Sequence, residues 1–398
     1  MTHPSLISVP TLHTVFGPGI VYVPRRSPTL PGYSPPLPGQ IDFLTGLQVG
    51  IAGGMPYVVS AATVTPPALE LRAEAGLPAD AELYTYRTVP EYVALIRGLI
   101  DRGYRLANQR VHPESEVPAR AACPPPDLLR ELNDKGCLGD LVSAAWLPVR
   151  RVIPVGDLPE SPRVLAEHGP VVLKAATEKP SGGGHGVWIC STSAEVDAAR
   201  TALAGEERVV IEEFLAIDVT ICIHGVVYPN GSTALLGAAE EIVRNGRWLG
   251  NWHDGAREVV PEQVLAEVRG IVTRAAAAGY RGITGIDVAR LEDGTWRVLD
   301  LNFRVNGSTA GVWLRASIEA TRGTRVMQGR GWACRAGFDA LVTVVRAAVR
   351  RGTLLPFGLY DPEECDAGGL ARVSGLVLGE SREAIEEEIR RLAGEGLT

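Results

Sequence analysis

Gly285-Ile-Asp-Val-Ala-Arg-Leu-Glu-Asp-Gly-Thr-Trp-Arg-Val-Leu-Asp-Leu-Asn302 is the stretch on which the reading of the fold turns. Asp293-Gly294 is a strong two-residue hairpin signal between runs of β-forming residues. With the turn placed there, Glu292 pairs with Thr295 and Asp287 falls directly opposite Asp300. Asn302 follows Asp300 by two and shares that face, while Ile286, Val288, Leu299 and Leu301 take the opposite, core side. Like charges directly opposite each other destabilise a strand pair. A bound cation removes that repulsion. Two carboxylates and an amide oxygen are hard donors suited to Mg2+ carrying nucleotide phosphates, with Mn2+ as an alternative. An ordinary hairpin with a solvated polar face is the competing reading. Arg304 continues the polar face if the strand runs on. A guanidinium there would stabilise a transferring phosphoryl group or a tetrahedral intermediate, although a lone arginine after a strand is otherwise a surface residue.

Upstream, Ser181-Gly182-Gly183-Gly184-His185-Gly186 lies between two short apolar strands, Val171 to Ala175 and Val187 to Cys190. Glycines let a backbone approach phosphate closely and point N–H groups at it, and a loop between antiparallel strands can close as a lid. Lys174, at the end of the first strand, would add positive charge. A plain hairpin loop fits the glycines equally well, and the spacing is neither a P-loop nor a dinucleotide fingerprint. The strand Val209 to Leu215 ends in Glu212-Glu213-Phe214-Leu215, with Asp218 three residues on. Backbone groups after such a strand can read an adenine edge, and a carboxylate can accept ribose hydroxyls. A buried strand leaving the core through its polar end is the alternative.

The chain has 398 residues, enough for two to four domains of about 100–200 residues each. Apolar residues make up 45%, enough for a sizeable core, and charged residues 21%, so disorder is excluded. The net charge of −7 argues against a general affinity for nucleic acid or an anionic membrane. The six cysteines form no CxxC pair or zinc spacing and read as reduced thiols of a cytoplasmic protein. No signal peptide is evident at the N-terminus. The first forty residues are proline-rich and irregular, Leu47 to Val64 suggests strand, glycine turn and strand, and Glu91 to Leu106 mixes helical and strand periodicity. Pro124-Pro125-Pro126 marks a boundary, followed by a helix capped near Asp127. Thr192-Ser193-Ala194-Glu195 matches a capping box, and a charged helix runs from Ser381 to Leu392. The order of elements gives an α+β or mixed α/β fold.

Taken in order, these segments resemble the ATP-grasp superfamily over roughly residues 127–315. The resemblance implies the first ATP lysine at Lys135 in Asn-Asp-Lys-Gly and the second at Lys174. It implies an adenine hinge at Glu212 to Leu215, a ribose acid at Asp218, metal ligands at Asp287, Asp300 and Asn302, and a catalytic arginine at Arg304. Asp218 stands where glutamate or histidine is commoner, Asp300 where glutamate is usual, and Phe303 interrupts the common Asn-Pro-Arg. More narrowly, Leu106-Ala-Asn-Gln-Arg-Val-His112 and the region after Asn302-Phe-Arg-Val-Asn-Gly-Ser308 are similar to peptide ligases of pheganomycin biosynthesis.

The resemblance implies an N-terminal pre-ATP-grasp domain over 1–125 and a small lid subdomain over 126–215. A metal- and nucleotide-binding subdomain over 216–330 and a C-terminal extension over 331–398 follow. The expected activity is ATP-dependent amide or peptide bond formation through an acyl phosphate, releasing ADP, in peptide natural-product (antibiotic) biosynthesis. An amino or guanidino acid would be joined to an amino acid or peptide amine. A kinase or carboxylase on the same scaffold and a non-catalytic nucleotide-binding protein are the rivals. Two roles fit the C-terminal region, a cap over the acceptor site or a homodimer contact.

Overall fold

The computed structural model describes residues 3–398 apart from 31, 33, 34, 178, 180–185, 245 and 256–258. Three sheets organise the chain. The first is parallel, with five strands in the order Glu82–Tyr86, Pro56–Ser60, Ile20–Val23, Arg105–Asn108, Ala122–Cys123. Ile20-Val-Tyr-Val23 is buried throughout, as a strand covered on both faces must be. The chain leaves this strand in one direction and returns on its other side at Arg105–Asn108. A topological switch point therefore lies at the carboxyl ends of those two strands. The mixed periodicity after Glu91 resolves into two elements. Helix Val89–Asp101 is capped by Thr88 and buries Tyr92, Ile96 and Leu99, and strand Arg105–Asn108 begins after a turn at Gly103. Between Leu47 and Val64 only Pro56–Ser60 is a strand. Val49–Ile51 is a helical turn, so the expected strand–turn–strand is half right.

The second sheet has four antiparallel strands, ordered Arg150–Pro154, Arg208–Glu213, Val171–Ala175, Val187–Cys190. Helices Ser161–His168 and Ser193–Leu203 supply Val164, Val196, Ala199 and Leu203 to its core. The Thr192/Glu195 capping box forms.

The third sheet has eight antiparallel strands, beginning with Trp296–Asn302, Gly282–Leu291, Ile217–Val227, Thr233–Arg244 and Arg247–Asp254. The last three, Val326–Cys334, Ala371–Gly379 and Leu354–Tyr360, come from the C-terminal region and extend the same sheet. Helix Glu262–Ala277 covers one face, packing Val264, Val268, Ile271 and Val272 with Ile221, Ile223, Ile286 and Val288. Helix Phe338–Arg351 also ties the sheet to the N-terminal domain, where Arg346 pairs with Glu70 and Glu74.

The decisive hairpin differs from expectation in one instructive way. Its loop has three residues, not two. Leu291, rather than Glu292, faces Thr295, with Leu291 N donating to Thr295 O at 2.8 Å and Gly294 in the left-handed region at φ +83°. That shift alone would put Asp287 out of line with Asp300. A bulge at Leu299 restores the register, so Asp287 does lie opposite Asp300 and Gly285 opposite Asn302. The bulge also reassigns the faces. Trp296, Val298 and Leu301 enter the core, while Leu299 is only half-buried and its carbonyl turns toward Lys174.

Candidate active site

The four-stranded sheet and the hairpin edge of the eight-stranded sheet face each other across a small cavity lined by Asp134, Lys135, Lys174, Glu212, Leu299 and Asp300. Lys135 opens a short turn capped by Asp134, which accepts from Gly136 N at 2.7 Å and from Arg208 at 2.5 Å. The preceding helix, Pro126–Asn133, starts one residue before Asp127 and is fixed to the hairpin exit, where Phe303 N donates to Asn133 Oδ1 at 3.1 Å. These anchors hold Lys135 Nζ 2.5 Å from Asp300 Oδ2. Lys174 Nζ reaches Glu212 Oε2 at 2.5 Å and the Leu299 carbonyl at 3.2 Å. Lys174 and Glu212 occupy neighbouring strands two positions off register, a spacing long side chains bridge.

The carboxylates are held in unequal states. Burial, then the charge of Asp300, pushes the Asp287 carboxyl up to about 6. Burial works against the Asp300 charge too, but Lys135, Lys174 and Arg304 hold that carboxyl below its usual value. Asn302 Nδ2 donates to Asp287 Oδ2 at 2.9 Å, and Arg304 donates to Asn302 Oδ1. Asp287 Oδ1 is buried with no hydrogen-bond partner. A pair of opposed acids with one orphaned oxygen is unfavourable without a cation, so these groups fit a divalent metal of oxygen preference. Among the described residues no cluster of three or more His, Cys, Asp or Glu has metal-binding geometry.

The structure thus brings together Lys135, Lys174, Glu212, Asp287, Asp300, Asn302 and Arg304. Glu213 is instead tied to Val149, whose N–H its carboxylate accepts at 2.8 Å. Phe214 is exposed and Leu215 half-buried where the chain leaves the strand. Asp218 is exposed and paired with Arg290 at 2.6 Å. Gly186 takes a left-handed φ of +78°, and its carbonyl accepts from Ala175 N at 3.0 Å. Ser181, Gly182, Gly183 and Gly184 lie outside the described residues.

Two further residues enter the site that sequence reasoning missed. Arg150 begins the strand beside Glu212, lies 3.4 Å from its Oε1, and donates to the Lys135 carbonyl at 2.5 Å. Its Nε makes that ion pair without forming a hydrogen bond, and its Nη1 is buried with no hydrogen-bond partner. Glu241 sits in the strand two along from Hairpin residue Asp287, and its carboxyl is pushed well up by burial, then by Asp287 and Asp300. Cys222 is directly opposite both Asp287 and Ala239, so Glu241, two residues beyond Ala239, shares the acidic face. A doubled Glu240-Glu241 in a strand was the only signal.

Two family models match. One describes an L-aspartate–L-methionine ligase N-terminal domain and covers residues 11–130, and the other its ATP-grasp domain over 148–302. Together they span about two thirds of the chain. Among solved structures, an N5-carboxyaminoimidazole ribonucleotide synthetase aligns at TM-score 0.60 and 16% identity, covering 99% of this chain and 98% of that one. The L-amino acid ligase of Bacillus licheniformis aligns at 0.54 and 14%, covering 94% and 97%. The biotin carboxylase of Campylobacter jejuni aligns at 0.56 and 13%, covering 95% and 92%. At these identities the structures share the fold and no more. Matched to one ligase family over both of its parts, with the fold of the wider group from end to end, the chain belongs to the ATP-grasp carboxylate–amine ligases.

Proposed function

We propose that the protein joins two amino acids by ATP-dependent amide bond formation, and that the cavity between the two sheets is where it does so. One observation carries this reading. Lys135 on Asp300, and Lys174 and Arg150 on Glu212, gather beside the opposed Asp287 and Asp300, and Asp287 keeps an unpartnered oxygen. That is a cradle for a polyphosphate with its cation.

Lys135, Lys174 and Arg150 neutralise phosphate oxygens. On nucleotide binding, Lys135 and Lys174 exchange their present carboxylate partners for phosphate. Asp287, Asp300 and Asn302 would hold Mg2+, which when bound draws charge from the phosphate oxygens and orients them. Glu212 to Leu215 take the adenine and Asp218 the ribose, which requires Asp218 to share or release Arg290. Segment 181–186 serves as the lid.

An oxygen of the donor carboxylate attacks the terminal phosphorus, and the bond to the bridging oxygen breaks, leaving ADP and an acyl phosphate. The acceptor amine then attacks the acyl carbon, loses a proton, and phosphate departs. Arg304 stabilises the oxyanion between those events. Positioning and charge account for most of the rate enhancement. The family models name L-aspartate and L-methionine, which makes an amino acid the first donor to try and an amino acid or short peptide the acceptor. A setting in peptide natural-product biosynthesis belongs to the same proposal. So does a cytoplasmic location, which six free thiols support. Among the described residues no helix is long and apolar enough to cross a membrane.

Hydroxylamine as a universal amine, with ATP, Mg2+ and a panel of amino and guanidino acids, tests the reading. Hydroxamate with ADP is the expected product. Hydroxamate with AMP, or a stable phosphorylated acid, would overturn it.

A further inference from the structure

Arg304 is a long side chain with little of its own to hold it. Among the described residues its hydrogen bonding is to Asn302 Oδ1 alone. The place of its guanidinium is therefore decided by the main chain that carries it. That main chain is the loop between strand Trp296–Asn302 and helix Thr309–Arg322. The loop belongs to neither element, yet it is not solvated. Phe303 and Val305, on either side of Arg304, are 1% and 2% exposed. Phe303 enters the core under helix Glu262–Ala277, and Val305 enters the core shared with the parallel sheet.

Three side-chain amides tie this loop to three separate parts of the molecule. Before Arg304, Phe303 N donates to Asn133 Oδ1 at 3.1 Å, at the end of helix Pro126–Asn133. After it, the Val305 carbonyl accepts from Gln109 Nε2 at 2.7 Å. Gln109 follows the parallel strand Arg105–Asn108 and is itself fixed, its N donating to Val23 O at 3.2 Å. One residue on, Asn306 reaches into the eight-stranded sheet, where its Nδ2 donates to Cys222 Sγ at 3.2 Å. The sheet is bare at that point, because a methyl on Gly285 would strike the Asn306 amide. Asn306 Oδ1 meanwhile accepts from Ser308 N at 3.2 Å and Thr309 Oγ1 at 3.1 Å, closing the turn into the helix. Cys222 lies directly opposite Asp287, so the same contact joins the loop to the hairpin of acids.

A loop anchored to one part of the molecule would carry Arg304 along with that part. Anchors to three parts, on the residues just before and after it, fix its main chain against all of them at once. Catalytic groups need that precision, since a misplacement of about 1 Å can cost about 10²-fold in rate. Resting on the ligase reading above and on the role of Arg304 in it, we propose that Asn133, Gln109 and Asn306 are positioning residues for Arg304, so that the N-terminal domain takes part in the chemistry through Gln109. Bonds that only hold domains together would cost stability when removed and would add independently to any other loss. Bonds that act through Arg304 cost turnover, and cost nothing more once Arg304 is gone.

The test is a pair of double-mutant cycles in the hydroxamate assay. Gln109→Met, which keeps the size and removes the donor, and Asn306→Ala are each made alone and together with Arg304→Ala. Asn133 is left as it is because it also lines the nucleotide cavity. Each single variant should lower kcat about 10–100-fold with KM for ATP unchanged, and thermal midpoints near wild type show that both fold. On the Arg304→Ala background each should cost less than about 2-fold more. Hydrogen exchange adds a readout that needs no substrate: peptides spanning 303–308 should lose protection in Gln109→Met. Full multiplicative losses in both cycles, or both single variants within about 2-fold of wild type while Arg304→Ala is impaired, would overturn the positioning role and leave the ligase reading standing. Unchanged exchange over 303–308 would overturn it as well. An unimpaired Arg304→Ala would remove the role of Arg304 and this proposal with it. No hydroxamate from any acid in the wild type would sink the ligase reading itself and, with it, this one.

Discussion

Two buried clusters of ionisable side chains lie at the ends of this molecule's sheets, and they are built on opposite principles. In the N-terminal domain, Arg25 donates to Asp42 at 3.2 Å between the rings of Tyr86 and Tyr92, and Tyr86 gives Asp42 a second bond at 2.8 Å. Next to it Glu116 accepts from His112, Ser27 and Thr29. Asp42 accepts two hydrogen bonds and Glu116 three, so both carboxylates are held by donors of the protein itself, although the Tyr92 hydroxyl beside them is buried without a partner. At the hairpin, Asp287 faces Asp300, Glu241 adds a third acid, and Asp287 Oδ1 and Arg150 Nη1 are left without hydrogen-bond partners. A satisfied network holds loops in place, whereas an unsatisfied one of matched chemistry is completed by something the protein binds.

That contrast predicts opposite phenotypes. The largest effect belongs to the closed cluster. Asp42→Ala strands the Arg25 charge among aromatic rings and should lower stability by about 3–5 kcal/mol in denaturant titration. A loss below about 1 kcal/mol would show that the cluster is not structural. Next comes Arg304→Ala at the open site, expected to reduce turnover about 10²–10³-fold while the melting temperature stays near wild type. Equal losses in turnover and nucleotide affinity would count against its role in the transition state.

Smaller still is the pH dependence of Glu116. Burial opposes its charge, but His112, Thr29 and Ser27 hold its carboxyl down at about 2. Its folded pKa lies below the unfolded one of about 4.3, so its contribution is complete above that pH and is lost as pH falls toward 2. Glu116→Gln should flatten the acid limb of the stability curve in that window, and an unchanged acid limb would contradict the assignment. The smallest effect is Asp287→Asn, which relieves the repulsion across the hairpin. Without ligand it should raise stability by up to about 1 kcal/mol, and it should weaken magnesium-dependent nucleotide binding. Destabilisation instead would move Asp287 into the closed class.

The same contrast explains what was legible beforehand. The opposed aspartates, Asn302 and Lys174 stand in local patterns, one hairpin and one strand end, and local patterns can be counted along a chain. Even there the pairing of Asp287 with Asp300 was reached through a turn misplaced by one residue. The Leu299 bulge cancels that shift, and no periodicity announces a bulge. Arg150 and Glu241 were out of reach because strands distant in sequence bring them in. Glu241 meets Asp287 only because Thr233–Arg244 and Gly282–Leu291 both flank Ile217–Val227. Likewise Val326–Cys334 and Leu354–Tyr360 went unread as strands, and non-local pairing joins them to the nucleotide-side sheet.

The central claim, acyl-phosphate chemistry between the two sheets, is tested most directly by the fate of a labelled donor oxygen. With the donor carboxylate carrying 18O and an amine present, mass spectrometry of the released phosphate should find one labelled oxygen per amide bond formed. Label in AMP, or phosphate free of label while amide accumulates, would contradict it.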